Sequence, residues 1–429
     1  MTSKIILVTG ATGYIASRLI PQLLDRGYKV RALARNPRRL STRNWSTRAD
    51  IFQGDLSDSA SLASAMKDVH TAYYLVHNMA SGHGYTKIEI QSAQKFTQAA
   101  AAAGVKHIIY LGGLADPEQY IATHMRARIE TGVALREGSV PVTEFRAGVI
   151  AGSGSISFEM IRFITELFPV IPAPTWLKNK AQPIATQNVI DYLLAALENR
   201  EGQGQVFEIG GSKITTYQGL MESYARARGL KRKFLLLPYI PIHFMAYGVG
   251  VTTPVPSPIA YALIGSLSHD SVILNKNAHD VYPIRLIDFD SAIKDALDRL
   301  HPHNIEHIWD GDQHKLNPFK REGFFIDQRT VRVNMSVEKA LNILHDFSMN
   351  HFVVESKSDS GVLFRSTQTK FGKHWIEYNA GHTDSVTHIT QTSYFAPYGF
   401  GGFLYGYLLY PFYAAMFRRL LKSILSSQG

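Results

Sequence analysis

No cysteine occurs among the 429 residues. That absence removes disulfides, thiolate metal sites and cysteine nucleophiles together. It leaves the redox compartment open, because a chain without thiols tolerates either environment. Charge is sparse as well, 19% against 45% apolar residues, a balance that excludes a disordered chain. The opening MTSKIILVTG has neither the apolar h-region nor the cleavage site of a secretory signal, so a cytoplasmic location is expected. Zinc-finger spacings, recognition-helix patterns and aromatic RNA-binding motifs are missing too, and nucleic acid is not an expected partner.

What charge there is carries a direction. The formal net charge is +10, and Arg26, Lys29, Arg31, Arg35, Arg38, Arg39, Arg43 and Arg48 run without an intervening acid. Arg418, Arg419 and Lys422 form a smaller set near the C-terminus. Such local fields attract phosphates, whether of a nucleotide cofactor or of an anionic bilayer.

A chain of this length predicts two or three units. Through residue 150, apolar runs such as KIILVTG, YKVRALAR, TAYYLVHN and KHIIYLGG alternate with helix-like YIASRLIPQLLDRG and EIQSAQKFTQAAAAAGV. Nearly continuous apolar strands separated by helices imply a doubly wound parallel sheet covered on both faces. Parts of 151–180 and 213–275 are expected to form a substrate lobe on this first unit, which spans 1–300. The stretch 234–267 contains no Lys, Arg, Asp or Glu, but its prolines interrupt any apolar helix long enough to span a bilayer. A polar, turn-rich linker is expected over 301–323, followed by a small α+β unit over 324–429. The crowd of His301, His303, His307, Asp310, Asp312 and His314 lacks a rigid ligand spacing, so no metal site is expected there.

TGATGYIA, residues 9–16, follows the first strand and opens the first helix. Gly10 allows a tight turn, Gly13 allows close approach to a pyrophosphate, and Ala16 permits close helix packing. Amides at the start of that helix, in the run Thr12, Tyr14 and Ile15, then face the anion. Arg35 stands at the end of strand two, where an NAD-specific protein places a carboxylate, and Arg38 follows. A guanidinium fork complements a 2′-phosphate, so NADP(H) is expected in preference to NAD(H). Asp55 and Leu56 close strand three beside the expected adenine. Val76 and His77 end strand four over the nicotinamide ribose, with Asn78 turned to the substrate.

TGATGYIA, GDLSD, YYLVHNM and VPVTEFRAGVIAGSGSISFEMIRF resemble the atypical, extended short-chain dehydrogenase/reductases, nearest the NmrA-like and YbjT-type NAD(P)-binding proteins. QPIATQNVIDYL and FEIGGSKITTYQGLMESYARARGL extend the likeness to roughly 1–300. The last unit resembles the DUF2867 extension, which implies an SRPBCC-like helix-grip fold. The resemblance also implies a serine at the end of strand five and a tyrosine–lysine pair on the next helix. This chain departs at all three positions. Gly112 or Gly113 replaces the serine, His124 the tyrosine and Arg128 the lysine, with Tyr120 one turn earlier on the same helical face.

Two readings follow. In the first, hydride passes from NADPH to a hydrophobic carbonyl, enone or quinone-like substrate. His124 is then the general acid near neutral pH, Tyr120 a fallback acid, Arg128 the cofactor's cation and Arg146 the holder of an anionic substrate group. In the second, the chain is a non-catalytic NADPH sensor or structural protein. Oligomeric state is not legible. The charge-free 400–417 segment with its basic flank reads as a helix packed on the last sheet, with peripheral membrane contact through 400–422 as the alternative.

Overall fold

The computed structural model describes residues 4–41, 43–77, 85–115, 122–275, 277–305, 319–346, 348, 350–383, 386–408 and 415. Apolar runs between glycine turns become β1 (Ile5–Val8), β2 (Lys29–Ala34), β3 (Asp50–Gln53), β4 (Val69–Tyr74), β5 (His107–Gly113) and β6 (Val142–Ala147). Helices α1 (Tyr14–Asp25), α2 (Ser59–Ala65), α3 (Tyr85–Ala102) and α4 (Thr123–Arg136) connect them. The chain then leaves the sheet through β7 (Ile150–Ala151), α5 (Ile156–Leu167), β8 (Val170–Pro174), β9 (Lys180–Ala181) and β10 (Ile184–Ala185). Helix α6 (Thr186–Glu198) returns it to β11 (Val206–Ile209).

The sheet order is β11-β6-β5-β4-β1-β2-β3, every neighbouring pair parallel. Strand order reverses between β1 and β4, which opens a ligand crevice beyond their carboxyl ends. Both faces are covered. Ile6 and Val8 pack under Leu19, Ile20, Tyr192 and Leu193, while Leu7 and Tyr74 pack under Phe96, Ala134 and Leu135. Burial on both sides is why these strands read as unbroken apolar runs.

The lobe adds β12 (Thr215–Thr216), α7 (Tyr217–Ala227), β13 (Lys233–Leu237), α8 (Ile242–Thr252) and α9 (Ser257–Ser266), with β13 parallel to β8. The prolines of the charge-free stretch start helices: Pro241 precedes α8, and Pro258 lies in the first turn of α9. Among the described residues, no helix is long and apolar enough to cross a membrane. Helices α10 (Asn277–Val281) and α11 (Phe289–Asp298) finish this unit.

The second unit is a six-stranded antiparallel sheet, β14-β15-β19-β18-β17-β16. Its elements are β14 (Phe319–Arg321), β15 (Phe324–Val333), α12 (Val337–Asp346), β16 (Phe352–Ser358), β17 (Gly361–Ser366), β18 (Gly372–Thr383) and β19 (Val386–Pro397). Ala340 and Leu344 of α12 sit in its core with Phe364, Ile376 and Ile389. A helix over 399–408 places Phe403 against Phe325.

The expected linker is corrected at both ends. Leu300 and Ile305 pack with Phe324 and Trp375, and β14 already belongs to the sheet. Glu322 and Gly323 both have positive φ, 46° and 86°, the geometry of a tight primed hairpin turn. His307, Asp310, Asp312 and His314 lie outside the described residues, as does most of 409–429.

Helix α5 joins the two units. Glu159 accepts the Gly154 N–H and the Gly323 N–H, each at 3.0 Å. Glu166 accepts the Gly399 N–H at 2.7 Å and the Tyr224 hydroxyl at 2.9 Å, and pairs with Arg228. Phe163 meets both Phe325 and Phe403.

Candidate functional site

The site begins at the β1–α1 turn. Gly10 has φ +66°, and a Cβ there would lie 2.5 Å from the Leu75 carbonyl oxygen, so only glycine fits. The Gly13 N–H closes the turn on the Gly10 carbonyl at 2.8 Å. Gly13 precedes α1 without a side-chain cap. The amides of the first helical turn therefore have no partner within the helix and suit an anion. Tyr14 turns its ring away, its hydroxyl 2.8 Å from Thr186 Oγ1, and Arg18 lies 3.8 Å from the ring centre. Burial raises the Tyr14 hydroxyl to about 12.

Arg35 follows β2 directly and is exposed, and its charge acts on Asp55 across the strand ends. The Ser57 backbone N–H, 2.8 Å from Asp55 Oδ1, holds that carboxyl below its ordinary range. Arg38 is exposed in a short turn whose backbone is tied to Asn36. Leu56 is buried. Val76 presses on the glycine turn, its Cγ2 3.2 Å from where a Gly10 Cβ would stand.

Beyond the nucleotide turn lies a cavity of about 780 Å³, within the roughly 300–1,000 Å³ usual for ligand pockets. Gly13, Tyr14 and Ile15 line one end together with His77, Gly112, His124 and Arg128; Ile161, Ile164, Trp176, Leu220, Val249 and Ile264 form apolar walls toward the lobe. A side chain on Gly112 would meet the Tyr110 ring at 3.0 Å; on Gly113 it would meet Met125 and Arg128 at 2.6 and 2.9 Å. The space of the implied serine is thus taken by the Tyr110 ring of β5 at Gly112 and by α4 side chains at Gly113. The Tyr110 hydroxyl donates to the Arg128 carbonyl at 2.8 Å and fixes that helix to β5.

His124 is 3% exposed, not solvated on a helix surface, and its Nε2 has no hydrogen-bond partner among the described residues. Desolvation, then the Arg128 charge, lowers it to about 4. The imidazole is therefore neutral near pH 7, which corrects the expectation of a general acid titrating near neutrality. Desolvation and Arg128 likewise push His77 well below its ordinary value.

Arg146 is a second correction. Its Nε donates to Glu144 Oε1 at 2.7 Å, and Arg136 pairs with the same fully buried carboxylate. Neutralising Glu144 occupies this guanidinium, and Arg146 does not line the cavity. Tyr120 and Asn78 lie outside the described residues. Sequence reasoning missed Tyr217, His269, Asp270 and Ser271, which line the lobe end; no motif marks them.

A profile of the NmrA-like family matches residues 2–306. A curated relative, a (4-alkanoyl-5-oxo-2,5-dihydrofuran-3-yl)methyl phosphate reductase of Streptomyces griseus, is 26% identical over 61% of this chain and 85% of its own. Photosystem II assembly factor Ycf39 of Trieres chinensis is 24% identical over 67% and 89%. The structure of Citrobacter sp. triphenylmethane reductase complexed with NADP(H) has 20% identity and a TM-score of 0.56, covering 68% of this chain and 99% of that one. An NADPH-dependent quinone oxidoreductase of Escherichia coli, complexed with NADPH, gives 19%, 0.55, 68% and 99%. With the matched region covering well over half its length, the chain belongs to the NmrA-like family.

Proposed function

We propose that the chain is an NADP(H)-dependent oxidoreductase acting on a hydrophobic carbonyl, enone or quinone-like molecule. One observation carries this reading: the nucleotide turn and the His124–Arg128 pair open onto a single apolar-walled cavity. The turn fits the cofactor, since Gly10 is excluded from carrying a side chain and Gly13 heads an uncapped helix. Gly13, Tyr14 and Ile15 would hold the pyrophosphate through main-chain amides, and Arg35 the 2′-phosphate, with Arg38 beside it. When bound, NADPH supplies a hydride.

The protein's own part is binding and electrostatics. The apolar walls exclude water and favour a flat, hydrophobic acceptor. A neutral imidazole can still donate a hydrogen bond, and the Nε2-protonated tautomer of His124 would donate to an acceptor oxygen as negative charge collects on it. Arg128 adds a permanent cation beside that oxygen. Water supplies the final proton, because His124 holds no spare one at neutral pH. The relatives named as reductases and the NADPH-bound neighbours support this reading.

Stopped-flow absorbance of reduced nicotinamide tests it, using the full chain with quinones, enones and aldehydes. Oxidation should occur, and His124→Ala should slow it by about a hundredfold. If no acceptor oxidises bound NADPH, the second reading stands, a non-catalytic NADPH sensor. That reading is favoured by the missing serine, tyrosine and lysine and by an imidazole with no proton to release.

A further inference from the structure

The roof of the cavity is built from helices that are apolar on the outside as well. Helix α8 turns Met245, Gly248 and Val249 toward the cavity. Phe244, Tyr247 and Val251 recur at i, i+3 and i+7 along its length, 72%, 67% and 54% exposed. Tyr239 ahead of it and Tyr261 on α9 are also exposed. Apart from His243, which stacks on Tyr261, and Thr252, the helix is uniformly apolar, a composition that belongs in a nonaqueous setting, yet only Ala246 and Val249 of α8 are buried. The pair cannot be a membrane span, since 11 and 10 residues are too few.

We propose that the α8–α9 hairpin docks on an anionic lipid surface and admits the hydrophobic substrate from the bilayer. Charge selects this occupant over a second copy of the chain. Lys231 and Lys233, both exposed, stand immediately before the uncharged 234–267 stretch, while the Arg232 guanidinium between them is held by the Thr165 and Glu166 carbonyls. The chain carries a formal +10, which repels its own copies and attracts acidic headgroups. Basic residues next to exposed tyrosine, phenylalanine and valine are the composition of an interfacial anchor. Continuity supports the entry route: Phe244 both lines the cavity and is among the most exposed apolar side chains. The substrate-entry part rests on the oxidoreductase reading; the docking part does not.

The test is flotation of the full chain with phosphatidylcholine vesicles, with and without phosphatidylglycerol. Binding is expected only with the acidic lipid and should weaken with salt. The triple variant Tyr239→Ser, Tyr247→Ser, Val251→Ser spares every cavity-lining side chain. It should lose binding by about a hundredfold, while calorimetry shows NADPH affinity unchanged. Lys231→Glu with Lys233→Glu should lose it too. In a separate chain, Phe244→Trp should shift its emission to the blue when acidic vesicles are added. Undiminished flotation of the triple variant, or no emission shift, overturns the proposal, as does a parent dimer that the triple variant converts to monomer. Docking without any acceptor reduction would defeat the oxidoreductase reading and leave the lipid surface intact.

Discussion

Acidification should weaken the first unit through His124, and the size follows from its burial. In the unfolded chain the imidazole titrates near 6.5; folded, desolvation and Arg128 bring it to about 4. Between these values the unfolded chain binds the proton and the folded one does not. Stability is therefore full above pH 6.5 and is lost as pH falls toward 4, reaching about 3 kcal/mol. His107 is 2% exposed and also lowered to about 4, so it adds a loss of the same sign. Burial is the main cause, with the charge of His70 adding to it; Thr143 Oγ1 donates to the Gly202 carbonyl and accepts from His107 Nε2 at 2.8 Å, which fixes the tautomer. Urea unfolding across this range, parent against His124→Gln, reads the effect, and imidazole resonances locate the midpoint directly. The variant should show a shallower pH dependence, and the resonance that it removes should titrate near 4. A midpoint at 6.5, or identical pH profiles for the two chains, would refute the reasoning.

Other perturbations follow from single contacts. Gly10→Ala places a methyl on the Leu75 carbonyl at positive φ, costing about 2 kcal/mol or more; calorimetry should find NADPH binding abolished. Arg35→Ser should weaken NADPH by about tenfold or more and leave NADH nearly unchanged; equal losses would show that Arg35 does not select the phosphate. Glu166→Ala strands Arg228, the Tyr224 hydroxyl and the Gly399 N–H at the junction of the units. A loss of about 3–5 kcal/mol is expected, with faster proteolysis of the full chain. Gly113→Ser should displace Met125 and Arg128 and lower acceptor reduction, although it restores the residue type implied by the resemblance.

The sequence made some of these features readable and concealed others. TGATGYIA between a strand and a helix carries its geometry in its glycines, because Gly10 needs a positive φ and Gly13 a close approach. The parallel sheet was readable because two-sided burial forces continuous apolar strands. His124 and Arg128 were locatable by spacing, but the imidazole's lowered basicity was not, since burial depends on what the other elements place around it. The role of Arg146 is hidden for the same reason: its partner is Glu144, two residues earlier on the same face of β6, and the need to neutralise a buried carboxylate appears only once the sheet is assembled. The hairpin at Glu322–Gly323 is hidden inside a polar stretch, although Glu-Gly between FKR and FFI carries a turn signal. The carboxylates of α5 look like an ordinary helix face until the second unit donates main-chain amides to them.

The shared cavity stands or falls first on the nucleotide. Calorimetric titration of the full chain with NADPH and with NADH should give one site per chain, tighter for NADPH. No heat from either nucleotide at millimolar concentration would contradict the phosphate-binding turn and, with it, any hydride chemistry at His124 and Arg128.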